Sequence, residues 1–106
     1  MSTFELAPLA VRDLEELLDY VRSESGPDRA ESVRCDLISA MHKLDRNPGM
    51  GHSRRDLTNR PVLFWAVHGW LIVYRPENRP LRVLRVISGW RDVRAELSGG
   101  RYPEPA

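Results

Sequence analysis

The chain has 106 residues, 42% of them hydrophobic and 29% charged, a size and balance that fit one soluble domain with one hydrophobic core. One cysteine, Cys35, excludes an internal disulfide and points to a reducing cytoplasm. No apolar run is long enough to cross a bilayer, and the opening "MSTFELAPLAVRDLEE" lacks the basic and then apolar segments of a signal peptide, so neither a membrane partner nor secretion is expected. The net charge of +1 conceals a split. Residues 1–48 hold ten acids and six bases; residues 49–106 hold five acids and ten bases, and all ten are arginine. Such a basic half calls for an acidic partner, and arginine is the residue suited to bidentate contact with carboxylate or phosphate.

In chain order, "STFELA" (2–7) reads as a short first strand that Pro8 ends. Leu14, Leu17, Leu18 and Val21 then recur at one-face spacing and predict a helix over 8–23. Pro27 suits the first position of a second helix, with Asp28 and Glu31 where the helix dipole favours acids. Ala30, Val33, Leu37, Met41 and Leu44 carry that helix to Asp45, and Asn47-Pro48-Gly49 stops it. The two helices form an antiparallel hairpin with an apolar stripe that needs a surface to lie on.

After the polar loop "MGHSRRDLTNRP", "VLFWAV" (62–67) and "WLIVYR" (70–75) read as strands joined by a His68-Gly69 turn, with Gly69 supplying a positive φ. A third strand, "LRVLRVI" (81–87), follows the turn "PENRP". A short helix is expected from Ser88-Gly89 to about Leu97, then a frayed tail over 98–106. The fold class is therefore α+β in a single domain over 1–106: a short N-terminal strand, a two-helix hairpin packed on an antiparallel sheet of three further strands, and a short C-terminal helix.

The strands are apolar on both faces. Phe64 and Ala66 oppose Leu63, Trp65 and Val67, and Leu71 and Val73 oppose Ile72 and Tyr74. A half-solvated sheet would alternate apolar with polar. One face belongs to the helical hairpin; the other needs the C-terminal helix or an external partner. Strand parity puts Arg82 and Arg85 on opposite faces.

Several pieces together resemble the ParE branch of the RelE/ParE toxin superfamily of bacterial type II toxin–antitoxin systems. They are "DLEELLDYV", "MHKLDRNPGMGHSRRDL", "IVYR" and "VLRVISGWRDV", in that order, across about Phe4 to Leu97. The resemblance implies a RelE/ParE-like fold, a cytoplasmic toxin that inhibits DNA gyrase, and neutralisation by a ParD-like antitoxin in a hetero-oligomer, a dimer of toxin–antitoxin pairs. RelE-like relatives are instead ribosome-dependent mRNA interferases.

RNA cleavage would need a group to activate the 2′-hydroxyl and one to protonate the leaving oxygen. The available cluster is Tyr74, Arg75, Arg82 and Arg85, and arginine is a poor general base because it hardly deprotonates. The gyrase-directed, non-enzymatic reading is therefore preferred to an endoribonuclease. The residues expected to meet antitoxin or target are Arg75, Arg82, Arg85, Trp90 and Arg91, with Trp90 equally suited to pinning the last helix to the sheet. One of Arg82 and Arg85 is expected to reach the rim of the helix-covered face and the other to face an acidic antitoxin segment. Asp56 is expected to hold its own loop, and Arg54 and Arg55 to be solvated. His42, His52 and His68 are scattered without ligand spacing, so no metal and no organic cofactor is expected.

Overall fold

The computed structural model describes residues 4–89 together with Val93 and Leu97. Strand β1 (Phe4–Leu6) leads into helix α1 (Pro8–Ser25) and helix α2 (Pro27–Arg46); a single 3-10 turn (Pro48–Met50) and a loop lead to β2 (Leu63–Val67), β3 (Trp70–Arg75) and β4 (Leu81–Ser88). Each helix opens on a proline, whose missing N–H costs nothing in a first turn. Gly26 serves both helices. Its N–H closes α1 on the Arg22 carbonyl at 2.9 Å, its own carbonyl accepts from Ala30 N–H at 3.2 Å, and its φ of +90° is one that glycine adopts without strain.

The sheet order is β1-β4-β3-β2, with β1 parallel to β4 and the other pairs antiparallel. The first strand ends one residue before the sequence suggests, and residues 2 and 3 lie outside the described residues. Ala7 is already the cap of α1, although its N–H still reaches Val83 O at 2.9 Å. Positive φ at both His68 (52°) and Gly69 (86°) makes the β2–β3 connection a mirror-image two-residue turn, whose twist matches that of the strands it joins. The imidazole of His68 lies 2.6 Å from the Asp36 carboxylate and ties the hairpin tip to α2.

Apolar character on both sheet faces resolves into two cores. On one face, the α1 stripe (Ala10, Leu14, Leu17, Val21) and its α2 counterpart lie on Ile72, Tyr74, Leu81, Val83 and Val86. On the other, Phe64, Val73, Leu84 and Ile87 are covered by the chain itself, through Val62, Leu57, Val93 and Leu97. The predicted C-terminal helix and the tail otherwise lie outside the described residues.

Strand parity misplaces Arg85. The register runs Val73↔Arg85 but Tyr74↔Val83, so Leu84 is an extra residue in β4, a β-bulge. Beyond it the alternation shifts by one. Arg82 and Arg85 pair with Arg75 and Val73, two residues apart on β3 and hence on one face, not on opposite faces.

Candidate functional site

At the end of the sheet where β3 stops and β4 starts, one transverse row crosses three strands: Glu5 opposite Arg82, and Arg82 opposite Arg75. Glu5 alternates with Phe4 and Leu6, which pack on the helix-side core, so the row lies on the other face. Arg82 Nη1 donates to Glu5 Oε1 at 3.3 Å, and Arg75 Nε lies 3.5 Å from Glu77 Oε1 in the following turn. The Arg75 and Arg82 side chains are only 20% and 27% exposed, with Arg75 Nε itself buried, whereas the Glu5 and Glu77 side chains are 55% and 57% exposed. Nearby in the β3–β4 turn, Arg79 donates to the carbonyls of Pro76 and Asn78.

Arg85 belongs elsewhere. Its side chain is 4% exposed, and its guanidinium forks onto Asp13, Nε to Oδ2 at 2.7 Å and Nη2 to Oδ1 at 3.1 Å. Asp13 Oδ2 also accepts the Val86 backbone N–H at 2.9 Å. The reason is topological. β1 pairs with β4 only as far as Val83, and beyond that point, among the described residues, the outer edge of β4 has no strand beside it. The second turn of α1 brings a carboxylate there to satisfy the edge.

Tyr74 is also removed from the arginines. It faces the helix-side core, and its hydroxyl donates to Pro48 O at 2.6 Å and accepts from Gly51 N–H at 2.9 Å. Burial pushes its pKa up, against the lowering effect of the Gly51 hydrogen bond. The same contact explains the glycine. A Cβ on Gly51 would lie 2.5 Å from the Tyr74 hydroxyl oxygen and 2.9 Å from the Phe64 carbonyl oxygen. The 48–52 segment held in this way places His52 beside β2, where its backbone exchanges both hydrogen bonds with Phe64 and its ring stacks on Trp65.

The structure thus splits the expected residues. Arg75 and Arg82 are brought together, Arg85 is a buried structural residue, and Tyr74 is a core tether, so the four do not form one cluster. Trp90 and Arg91 lie outside the described residues. Asp56 does hold its own loop, as a bidentate partner of Arg54 at 2.9 and 3.0 Å, and Arg55 is exposed. Sequence reasoning missed Glu5, Glu77 and Asp13 as the arginines' partners. Parity within β1 could have found Glu5; Asp13 reads as one more solvated acid on the polar face of α1. Among the described residues no three His, Cys, Asp or Glu side chains gather as metal ligands, and no helix is long and apolar enough to cross a membrane.

Comparison with known proteins gives one consistent answer. Residues 4–93 match the family described as the ParE toxin of the type II toxin–antitoxin system, parDE. The chain is 29% identical over 86 residues to Toxin ParE3 of Caulobacter vibrioides, covering 80% of this chain and 84% of that protein. Its fold is similar to that of a chain in the chromosomal ParDE TA system from P. aeruginosa, with a TM-score of 0.69 at 18% identity, over 83% of this chain and 96% of that one.

Proposed function

The chain belongs to the ParE toxin family of type II toxin–antitoxin systems, and from that premise we propose that it acts in the cytoplasm by inhibiting DNA gyrase and is neutralised by a ParD-like antitoxin. The antitoxin contacts the row formed by Arg75 and Arg82, and toxin and antitoxin assemble as a dimer of heterodimers. The single observation that carries a protein-directed rather than an RNA-cleaving reading is the state of Tyr74. It is the one member of the sequence-predicted cluster able to transfer a proton at ordinary pH cost. Its hydroxyl is buried, bonded to two backbone groups, and on the sheet face opposite Arg75 and Arg82. A general acid or base must come within hydrogen-bond reach of its substrate. The partly exposed Arg75 and Arg82 carry positive charge, which suits recognition of an acidic partner surface.

The test is pulse labelling of DNA, RNA and protein synthesis after induction of this chain alone in a bacterial host. DNA synthesis is expected to stop first, and purified protein is expected to block gyrase supercoiling. Earlier arrest of protein synthesis, with cleaved mRNA, would overturn the reading in favour of a ribosome-dependent interferase.

A further inference from the structure

The connection over residues 51–62, between the 3-10 turn and β2, is twelve residues long, where about four to six is usual. It is nevertheless held in shape. His52 and Phe64 exchange both backbone hydrogen bonds, at 2.9 and 2.8 Å, so the residues between them form an Ω-shaped loop with its two ends pinned together. Inside the loop the Leu57 and Thr58 N–H groups donate to the Arg54 carbonyl at 2.9 and 3.1 Å, and the Arg60 N–H donates to Thr58 Oγ1 at 3.2 Å. The Arg54 guanidinium forks onto Asp56. Leu57 and Val62 anchor the loop in the second core, on the sheet face away from the helices. What the loop holds outward is polar. Ser53, Arg55 and Asn59 are exposed, and none of the three side chains has a hydrogen-bond or ion-pair partner among the described residues.

We infer that this loop is a preformed recognition element, and that Arg55, with Ser53 and Asn59 in the same loop, takes a carboxylate on the surface of the protein the toxin acts on. The inference rests on the gyrase-directed reading above and goes beyond it by naming the contact. Two observations carry it. The first is the division of labour between neighbouring arginines. Arg54 is spent on the shape of the loop, through Asp56, whereas the fold makes no use of Arg55. The second is order. A loop closed at its ends and plugged into a core has already lost the backbone freedom that association would otherwise remove, so its free polar groups bind at a smaller entropic cost. A protein surface fits this loop better than a nucleic-acid backbone does. Asp56 offsets Arg54, which leaves one unpaired guanidinium beside a hydroxyl and an amide that both donate and accept. A phosphate backbone is held by several cations together, and the exposed Asp56 carboxylate repels it.

The experiment is gyrase supercoiling with the purified full chain and no antitoxin present, so that only contact with the target is read. Four proteins are compared: unaltered, R55E, R55Q and R12E, each checked by thermal melting. Arg12 is likewise exposed and unpaired, on α1, and R12E controls for the change in net charge. R55E is expected to melt as the unaltered protein does and to need at least about tenfold more protein for half inhibition, the scale of an attractive charge contact turned repulsive. R55Q is expected to lose about threefold, and R12E to match the unaltered protein. Should R55E melt lower, R55Q decides, and its full activity would overturn the inference. Inhibition by R55E equal to that of the unaltered protein, or equal losses in R55E and R12E, would overturn the loop inference and leave the gyrase reading standing. No inhibition by the unaltered protein would overturn both. If R55E loses inhibition together with retardation of duplex DNA by the chain alone in a gel, Arg55 belongs to a phosphate contact and the proposed protein contact is overturned.

Discussion

Asp13 is the residue whose loss should be felt most. Its carboxylate receives both the buried fork of Arg85 and the Val86 N–H. Asp13→Asn takes the charged acceptor away from the buried Arg85 fork, so unfolding in urea is expected to show a loss of about 3–5 kcal/mol. Arg85→Glu should be worse still, and for that reason its effect on partner binding would report misfolding rather than contact. Tyr74 gives a pH signature. Its folded pKa is raised, so the neutral hydroxyl is favoured in the native state, and its contribution is fully present below the ordinary tyrosine value of about 10. As pH rises beyond that value the unfolded chain ionises first and stability falls, until the folded pKa is passed. Tyr74→Phe should remove this alkaline step. At neutral pH it should cost about 1–3 kcal/mol, because the Pro48 carbonyl and the Gly51 N–H lose their partner. Denaturant midpoints of both proteins at pH 7, 9 and 11 would check the sign and the step.

At the scale of elements, the segment from Pro48 to His52 is fixed by what it lacks. Gly51→Ala puts a methyl against Tyr74 Oη and the Phe64 carbonyl, and the latter is backbone that cannot step aside. The expected cost is about 1–3 kcal/mol with faster exchange of the Phe64 amide, measurable by hydrogen exchange. The sequence pattern made the helices legible to within two residues at either end, because their apolar stripes persist over several turns and each begins on proline. The β2–β3 hairpin was legible from His68-Gly69. The parallel pairing of β1 with β4 was not, since a three-residue strand carries no periodicity that tells its direction. Nor was the bulge. Leu84 is as apolar as its neighbours, and only the register shift between Val73 and Tyr74 reveals that one residue of β4 is extra. That shift decides which arginines share a face, which is why the Arg75/Arg82 half of the site could be anticipated and the fate of Arg85 could not.

Across the whole molecule, the acids concentrate in the helical hairpin and the arginines in the loops and the sheet, so the chain is polar in the electrostatic sense despite its net charge of +1. Association with an acidic partner through the sheet end should therefore be fast at low salt and should slow as salt rises. We expect at least about a tenfold drop in on-rate between 0.05 and 0.5 M NaCl. Arg82→Glu should reduce the rate strongly and Arg34→Glu, on the exposed face of α2, should not; surface-coupled binding kinetics would separate them. The outermost strand of the sheet carries a different consequence. "LFWAV" has no charged side chain, and among the described residues its outer side is met by a strand-like partner only at Phe64, through His52. Among the described residues this backbone clasp, itself hung on Tyr74, is what covers the edge of β2 against addition of a strand from another copy. Loosening it would seed polymer: heated or alkali-treated samples, and Gly51 variants kept below their melting point, would gel or deposit as thioflavin-positive fibrils instead of refolding.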